Sequence, residues 1–113
     1  MNKENHVLLQ GRVSFEPEVK TLTSGKQLGK LRLAAKSGRG TCFIDVDVWD
    51  DNLIGTVKHL KKSDNIVISG ELRSNSWESQ SGEKRMKHVV VAESLRLATD
   101  GRQENIDKNE VPF

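Results

Sequence analysis

Tyrosine is absent from this chain of 113 residues, and its aromatic complement is two Trp and three Phe. Cysteine occurs once, as Cys42. No internal disulfide is therefore possible, which agrees with a reducing compartment and removes a cysteine-based metal site from consideration. No apolar run approaches the length that spans a bilayer, so a membrane span is excluded. The start, Met1-Asn2-Lys3-Glu4-Asn5-His6, lacks the apolar stretch and small-residue cleavage site of a secretory signal, and a cytoplasmic location is expected. His6, His59 and His88 are scattered without metal-ligand spacing, and neither a Gly-rich phosphate loop nor a nucleophile elbow occurs. The sequence gives no reason to expect a metal, a cofactor or a catalytic centre.

What is present suffices for one small core, with 35% hydrophobic residues and no sign of a second domain. The net charge of +2 is too small to argue for a polyanionic partner by itself. Its distribution says more. Asp100, Glu104, Asp107 and Glu110 against Arg102 and Lys108 leave residues 99–113 at −2, and residues 1–98 hold the balance of +4. Apolar residues nearly vanish between Thr99 and Glu110, which predicts a folded domain over 1–98 and an unstructured linker with an acidic tip over 99–113.

Alternating or short apolar runs recur at His6–Val13, Leu28–Lys36, Thr41–Trp49, Asn65–Ser74 and Met86–Leu97, which predicts five strands. Turn residues separate them at Ser24-Gly25-Lys26, Ser37-Gly38-Arg39-Gly40 and Ser81-Gly82-Glu83. Between the third and fourth strands, Leu53, Val57 and Leu60 fall at the spacing of a short amphipathic helix. Asp50, Asp51 and Asn52 suit its start, and Lys58, Lys61 and Lys62 its negative end. An all-β chain with a helix between strands three and four has the element order of a five-stranded OB-fold barrel.

Side chains alternate across a strand. Within Thr41–Trp49 one side carries Cys42, Ile44, Val46 and Val48, which assigns Cys42 to the core. The other carries Phe43, Asp45, Asp47 and Trp49, so two rings point away from that core. Trp77 lies in the polar hairpin Asn75–Arg85, where there is little core for it to enter. Unpaired bases can cover exposed rings by stacking, at about 1–3 kcal/mol per base whatever its identity. Burial at a subunit interface is the competing use of such a ring, weightier for Trp49 than for Trp77.

Stacking rings need cations along the phosphate path. Arg12 lies on the first strand; Lys30, Arg32 and Lys36 share the outer side of the second; Lys20 and Lys26 flank the first hairpin. Lys62 and Arg73 border the fourth strand, and Lys84, Arg85 and Lys87 follow Trp77. Taken singly, each is an ordinary solvated charge. The set interleaved with Phe43, Trp49 and Trp77 is what points to single-stranded nucleic acid. An enzyme using Asp45, Asp47, Asp50 and Asp51 on divalent metal is disfavoured, since two of the four read as a helix cap and nothing completes a two-metal cluster.

Several markers in order resemble the bacterial single-stranded DNA-binding protein family, from about Asn5 to Leu97. They are Asn5–Val13, Glu16-Pro17-Glu18-Val19-Lys20 with Ser24-Gly25, Phe43 with Val46 and Trp49, Leu60-Lys61-Lys62, Gly70-Glu71-Leu72-Arg73, and Trp77 ahead of Ser81-Gly82. A separate match lies at the C-terminus, where Asp107, Glu110, Val111, Pro112 and Phe113 are similar to the family's acidic tip ending in Pro-Phe. The resemblance implies sequence-independent binding of single-stranded DNA, a homotetramer, and recruitment of replication and repair proteins by the tip. A terminal Phe fits an apolar pocket while its carboxylate and nearby acids meet Lys or Arg. The chain departs from the pattern in four places. The Lys36–Thr41 loop is short and lacks a stacking ring that many members carry, Asp45 and Asp47 share the face of Phe43 and Trp49, Lys108 dilutes the tip, and the linker is brief. Together they point to a compact member of the phage or plasmid kind, in which the two acids weaken binding unless Lys or Arg neighbours pair with them. The alternative is a primosome-type OB-fold module that contacts proteins and touches DNA weakly.

Overall fold

The computed structural model describes residues 4–98; residues 1–3 and 99–113 lie outside, and with them the tail residues Asp107, Glu110, Val111, Pro112 and Phe113. Along the described chain run β1 (Val7–Val13), β2 (Glu18–Thr21), β3 (Gln27–Ser37), β4 (Gly40–Val48), α1 (Asp51–Val57), β5 (Asn65–Glu78) and β6 (Lys84–Leu97). Five of the strands close in the order β1-β5-β6-β4-β3 and back to β1, with β4 and β6 parallel and the other pairs antiparallel. This is the five-stranded barrel with one short helix that the element order predicts. β2 is an addition to it. Its four residues pair with the first part of β3, a short strand inside what the sequence shows only as a hairpin.

Closure depends on β1 changing partners. Val7 to Arg12 pair with β5, and Gly11 to Val13 pair with β3. Gly11 sits at the changeover, where a Cβ would lie 2.3 Å from the Ala34 carbonyl oxygen, so only glycine lets the two backbones meet. A second close approach bends the β5–β6 pair. Ser69 opposes Ser94 and Gly70 opposes Ala92, leaving Glu93 as an extra residue on β6, and a Cβ on Gly70 would fall 2.0 Å from the Val91 carbonyl oxygen. Past Arg73 and Val89, where β4 leaves β6, β5 and β6 run on as a two-stranded arm to the turn at Ser79–Gly82. Asn5 ties down the root of the arm: its side chain donates to the Leu72 carbonyl at 2.8 Å and accepts from the Leu72 N–H at 2.9 Å.

The core is aliphatic. Val13, Leu31, Leu33, Val46, Val48, Ile66, Ile68 and Val90 fill it, and Ile54, Val57 and Leu60 close one end from α1 and the turn after it. Asp50 starts the helix, its carboxylate accepting from Asn52 N–H at 2.8 Å. The helix stops at Lys58, so Lys61 and Lys62 lie past its end in the turn towards β5 instead of on its last turn. Cys42 corrects the sequence assignment: it is exposed. It pairs with Ala35 near the tip of the β3–β4 hairpin, while β6 joins β4 only from Asp45 onward, so no strand runs along the far edge of β4 beside it. No helix among the described residues is long and apolar enough to cross a membrane.

Candidate nucleic-acid interface

Strand register decides which outward side chains become neighbours. β3 sets Ala34 against Phe43, Arg32 against Asp45 and Lys30 against Asp47. β6 sets Val89 beside Asp45 and Val91 beside Asp47, and β5 opposes Arg73 to Val89, Asn75 to Lys87 and Trp77 to Arg85. Paired residues share a face. One outer surface therefore extends from Trp77 and Arg85 on the arm, past Arg73 and Lys87, to Phe43 and Asp45, and on to Lys30, Arg32 and Lys36. Arg12 joins it opposite Ala34, and Lys20 opposite Leu28.

Phe43, Trp49 and Trp77 are 53%, 40% and 48% exposed. Trp49 follows the last residue of β4 and lines a groove of about 530 Å³ with Thr21, Lys26, Gln27 and Asp51. Trp77 borders another of about 480 Å³ with Ser76, Lys84, Arg85 and Met86. By alternation Lys84 and Met86 lie on the opposite side of the arm from Trp77. A third groove, about 540 Å³, runs between Arg12, Gln10 and Asn65 on one bank and Ala34, Lys36 and Thr41 on the other. Lys62 stands apart in the turn before β5, where its backbone N–H donates to Glu16 at 3.3 Å. Phe15, in the loop after β1, is a further exposed ring that strand alternation could not flag.

The cations of this face are nearly all engaged. Asp47, only 6% exposed, accepts from Lys30 at 3.2 Å. Asp45 meets Arg32 at 3.5 Å from one side and the Lys87 ammonium from the other. Both acids are therefore paired by Lys or Arg neighbours, the condition under which the sequence allowed them on this face. Arg32 also lies over the Phe43 ring, 5.7 Å from its centroid, a cation–π arrangement. Arg73 pairs with Glu71 at 3.0 Å, Arg85 with Glu83 at 2.9 Å and Lys20 with Glu18 at 3.9 Å. Arg12 donates to the Ser63 carbonyl at 2.9 Å. Lys87 stood in the sequence as one more cation after Trp77. Its contact with Asp45 depends on the parallel β4–β6 pairing, which no local pattern announces. No group of three or more His, Cys, Asp or Glu suited to a metal ion occurs among the described residues.

Comparison with known proteins agrees with this architecture. Residues 4–98 match the model of the single-strand binding protein family. The single-stranded DNA-binding protein of Wolinella succinogenes is 36% identical over 102 residues, covering 82% of this chain and 63% of that protein. That of Helicobacter hepaticus is 32% identical over 102 residues, covering 82% and 60%. The chain thus spans a little under two thirds of the length of these curated relatives. A solved Plasmodium falciparum SSB, in complex with ssDNA, superposes with a TM-score of 0.74 at 22% identity over 86% of this chain and 98% of that one, which fixes the fold. A closed five-stranded barrel and a family match over all the described residues lead to one conclusion: the chain belongs to the single-strand binding protein family.

Proposed function

We propose that this protein binds single-stranded DNA without regard to base sequence and does no chemistry on it. Bases stack on Phe43, Trp49 and Trp77, and the backbone follows Arg12, Lys20, Lys30, Arg32, Lys36, Lys62, Arg73, Lys84 and Arg85. The observation that carries this is the placement of the rings. All four described aromatic residues are exposed while the core is wholly aliphatic, and two of the three proposed stacking rings lie on the cation-bearing face. Rings left in water forgo burial unless a partner covers them, and bases of any identity offer a π-face. The names of the relatives and the DNA held by the structural neighbour support the same function.

Titration with oligo-dT should quench the intrinsic Trp fluorescence. Replacing Phe43, Trp49 and Trp77 together by Ala should abolish binding while the unfolding midpoint stays close to the parent's. A folded triple variant with undiminished affinity would remove the stacking mechanism and leave a protein-contacting barrel as the better account. The proposal extends to a cytoplasmic homotetramer built on the 1–98 barrel, whose tip, Asp107, Glu110, Val111, Pro112 and Phe113, recruits replication and repair proteins. Deleting Pro112 and Phe113 should end recruitment and spare oligo-dT binding; recruitment that survives the deletion would refute the role of the tip.

A further inference from the structure

We propose that Asp45 is a built-in competitor for the phosphate backbone, holding Arg32 and Lys87 in the unbound protein until a phosphate displaces it. This deepens the single-stranded DNA reading and rests on it. The geometry singles out Asp45 from its neighbour Asp47. Asp47 has a side chain only 8% exposed and serves Lys30 alone, so it is part of the packing. The Asp45 side chain is 26% exposed and reaches two cations from two different strands, each itself close to half exposed: Arg32 at 43% and Lys87 at 45%. Exposed pairs of this kind are weak and exchange readily. Arg32 at the same time covers the face of Phe43, so the group that stands where a base would stack is the one that Asp45 holds. A base arriving on Phe43 must displace Arg32 from the ring. Its phosphate then offers Arg32 and Lys87 an oxyanion in place of the carboxylate.

Once displaced, the carboxylate still lies beside Arg32 and Lys87, so the parent face neutralises less phosphate charge than its cations alone could, and the shortfall is electrostatic. For single strands the dependence of log K on log salt has a slope of about −0.7 per phosphate neutralised. Asp45→Asn should therefore bind oligo-dT about fivefold more tightly at low salt, the order expected for removing one unit charge at contact distance in water. Its salt slope should steepen by about 0.7, for one further unit of phosphate charge neutralised, and the advantage should fade as salt screens the face. Asp45→Glu, which keeps the carboxylate, should behave as the parent. Glu4→Gln changes the net charge equally outside β4 and its partners and should leave affinity within about twofold.

Equal or weaker binding by Asp45→Asn with the parent's slope would overturn the proposal, and so would an equal gain in Glu4→Gln. A second readout needs no variant: the Asp45 carboxyl carbon resonance of the parent should move on saturation with oligo-dT, and a resonance that stays put while Trp fluorescence is quenched overturns it as well. A parent that does not bind oligo-dT at all would defeat the DNA reading and this proposal together, whereas a parent that binds while Asp45→Asn changes nothing defeats only the role of Asp45.

Discussion

A buried carboxylate is held in place by its partner, and Asp47 shows what that partner is worth. With Asp47 at 6% exposure and Lys30 at 3.2 Å, Lys30→Ala would leave an acceptor in the sheet without its charge-assisted bond. The expected loss of stability is about 1–2 kcal/mol by urea unfolding, discounted because the Lys30 side chain is itself partly exposed. Arg32→Ala should cost less, since the Asp45 it leaves keeps Lys87 and contact with water. If the two variants lose equal stability, the distinction between a packed and an exchangeable acid is wrong. At this scale the sequence was informative about direction and poor about burial. Alternation through Thr41–Trp49 correctly turns Phe43 outward, because direction is a property of the strand alone. It misplaces Cys42, because burial also requires a strand along the other edge of β4, and β6 does not reach that far up the hairpin. The salt bridge from Asp45 to Lys87 joins residues 42 positions apart and is invisible to any local pattern.

Elements are decided by where backbones can meet. β1 serves two partner strands, and Gly11 is the point of exchange. Gly11→Ala would force its methyl to within 2.3 Å of a carbonyl oxygen, an atom that cannot swing aside as a side-chain end might. The expected cost is about 1–3 kcal/mol or more, read as a lowered unfolding midpoint. Gly55→Ala, in the helix with nothing within 4 Å of its Cβ, is the matched control and should be neutral or mildly stabilising. A Gly11→Ala protein as stable as the parent would show that the barrel closes with more slack than the register implies. The five long strands and the helix were legible from period and turn residues. β2 was not, since Glu18–Thr21 is mostly polar and owes its extended form to the β3 edge beside it. The lengths of β5 and β6 were also understated: their outer halves carry no burial signal, yet hydrogen bonding across the arm continues to Glu78 and Lys84.

For the molecule as a whole, the apolar groups left outside the barrel bear on self-association. Leu72 and Met86 are exposed on the side of the arm opposite Trp77, and Leu8 is exposed on β1. Exposed apolar side chains on one side of an arm suit a contact with another protein surface. Under the homotetramer proposed above, Leu72→Glu combined with Met86→Glu should lower the native mass measured by light scattering, with the barrel's circular dichroism unchanged. A mass that does not move would place the contact elsewhere, and a parent that is monomeric would end the tetramer proposal. Fold class was readable at this scale because three strands, a helix and two strands admit few closed arrangements. The electrostatic balance of the face was not, because it depends on which carboxylate the register delivers to which cation.

The double pairing of β1 also has a temporal side. Val7 meets Gly70 and Arg12 meets Asn65, so β1, once clear of the ribosome, finds its longer partner only after more than fifty further residues have been made. Such distant pairing must be reached before it is rewarded, which slows folding in general. Nascent chains that end inside α1 should therefore remain susceptible to protease, and protection should arrive abruptly once β5 and β6 have both emerged.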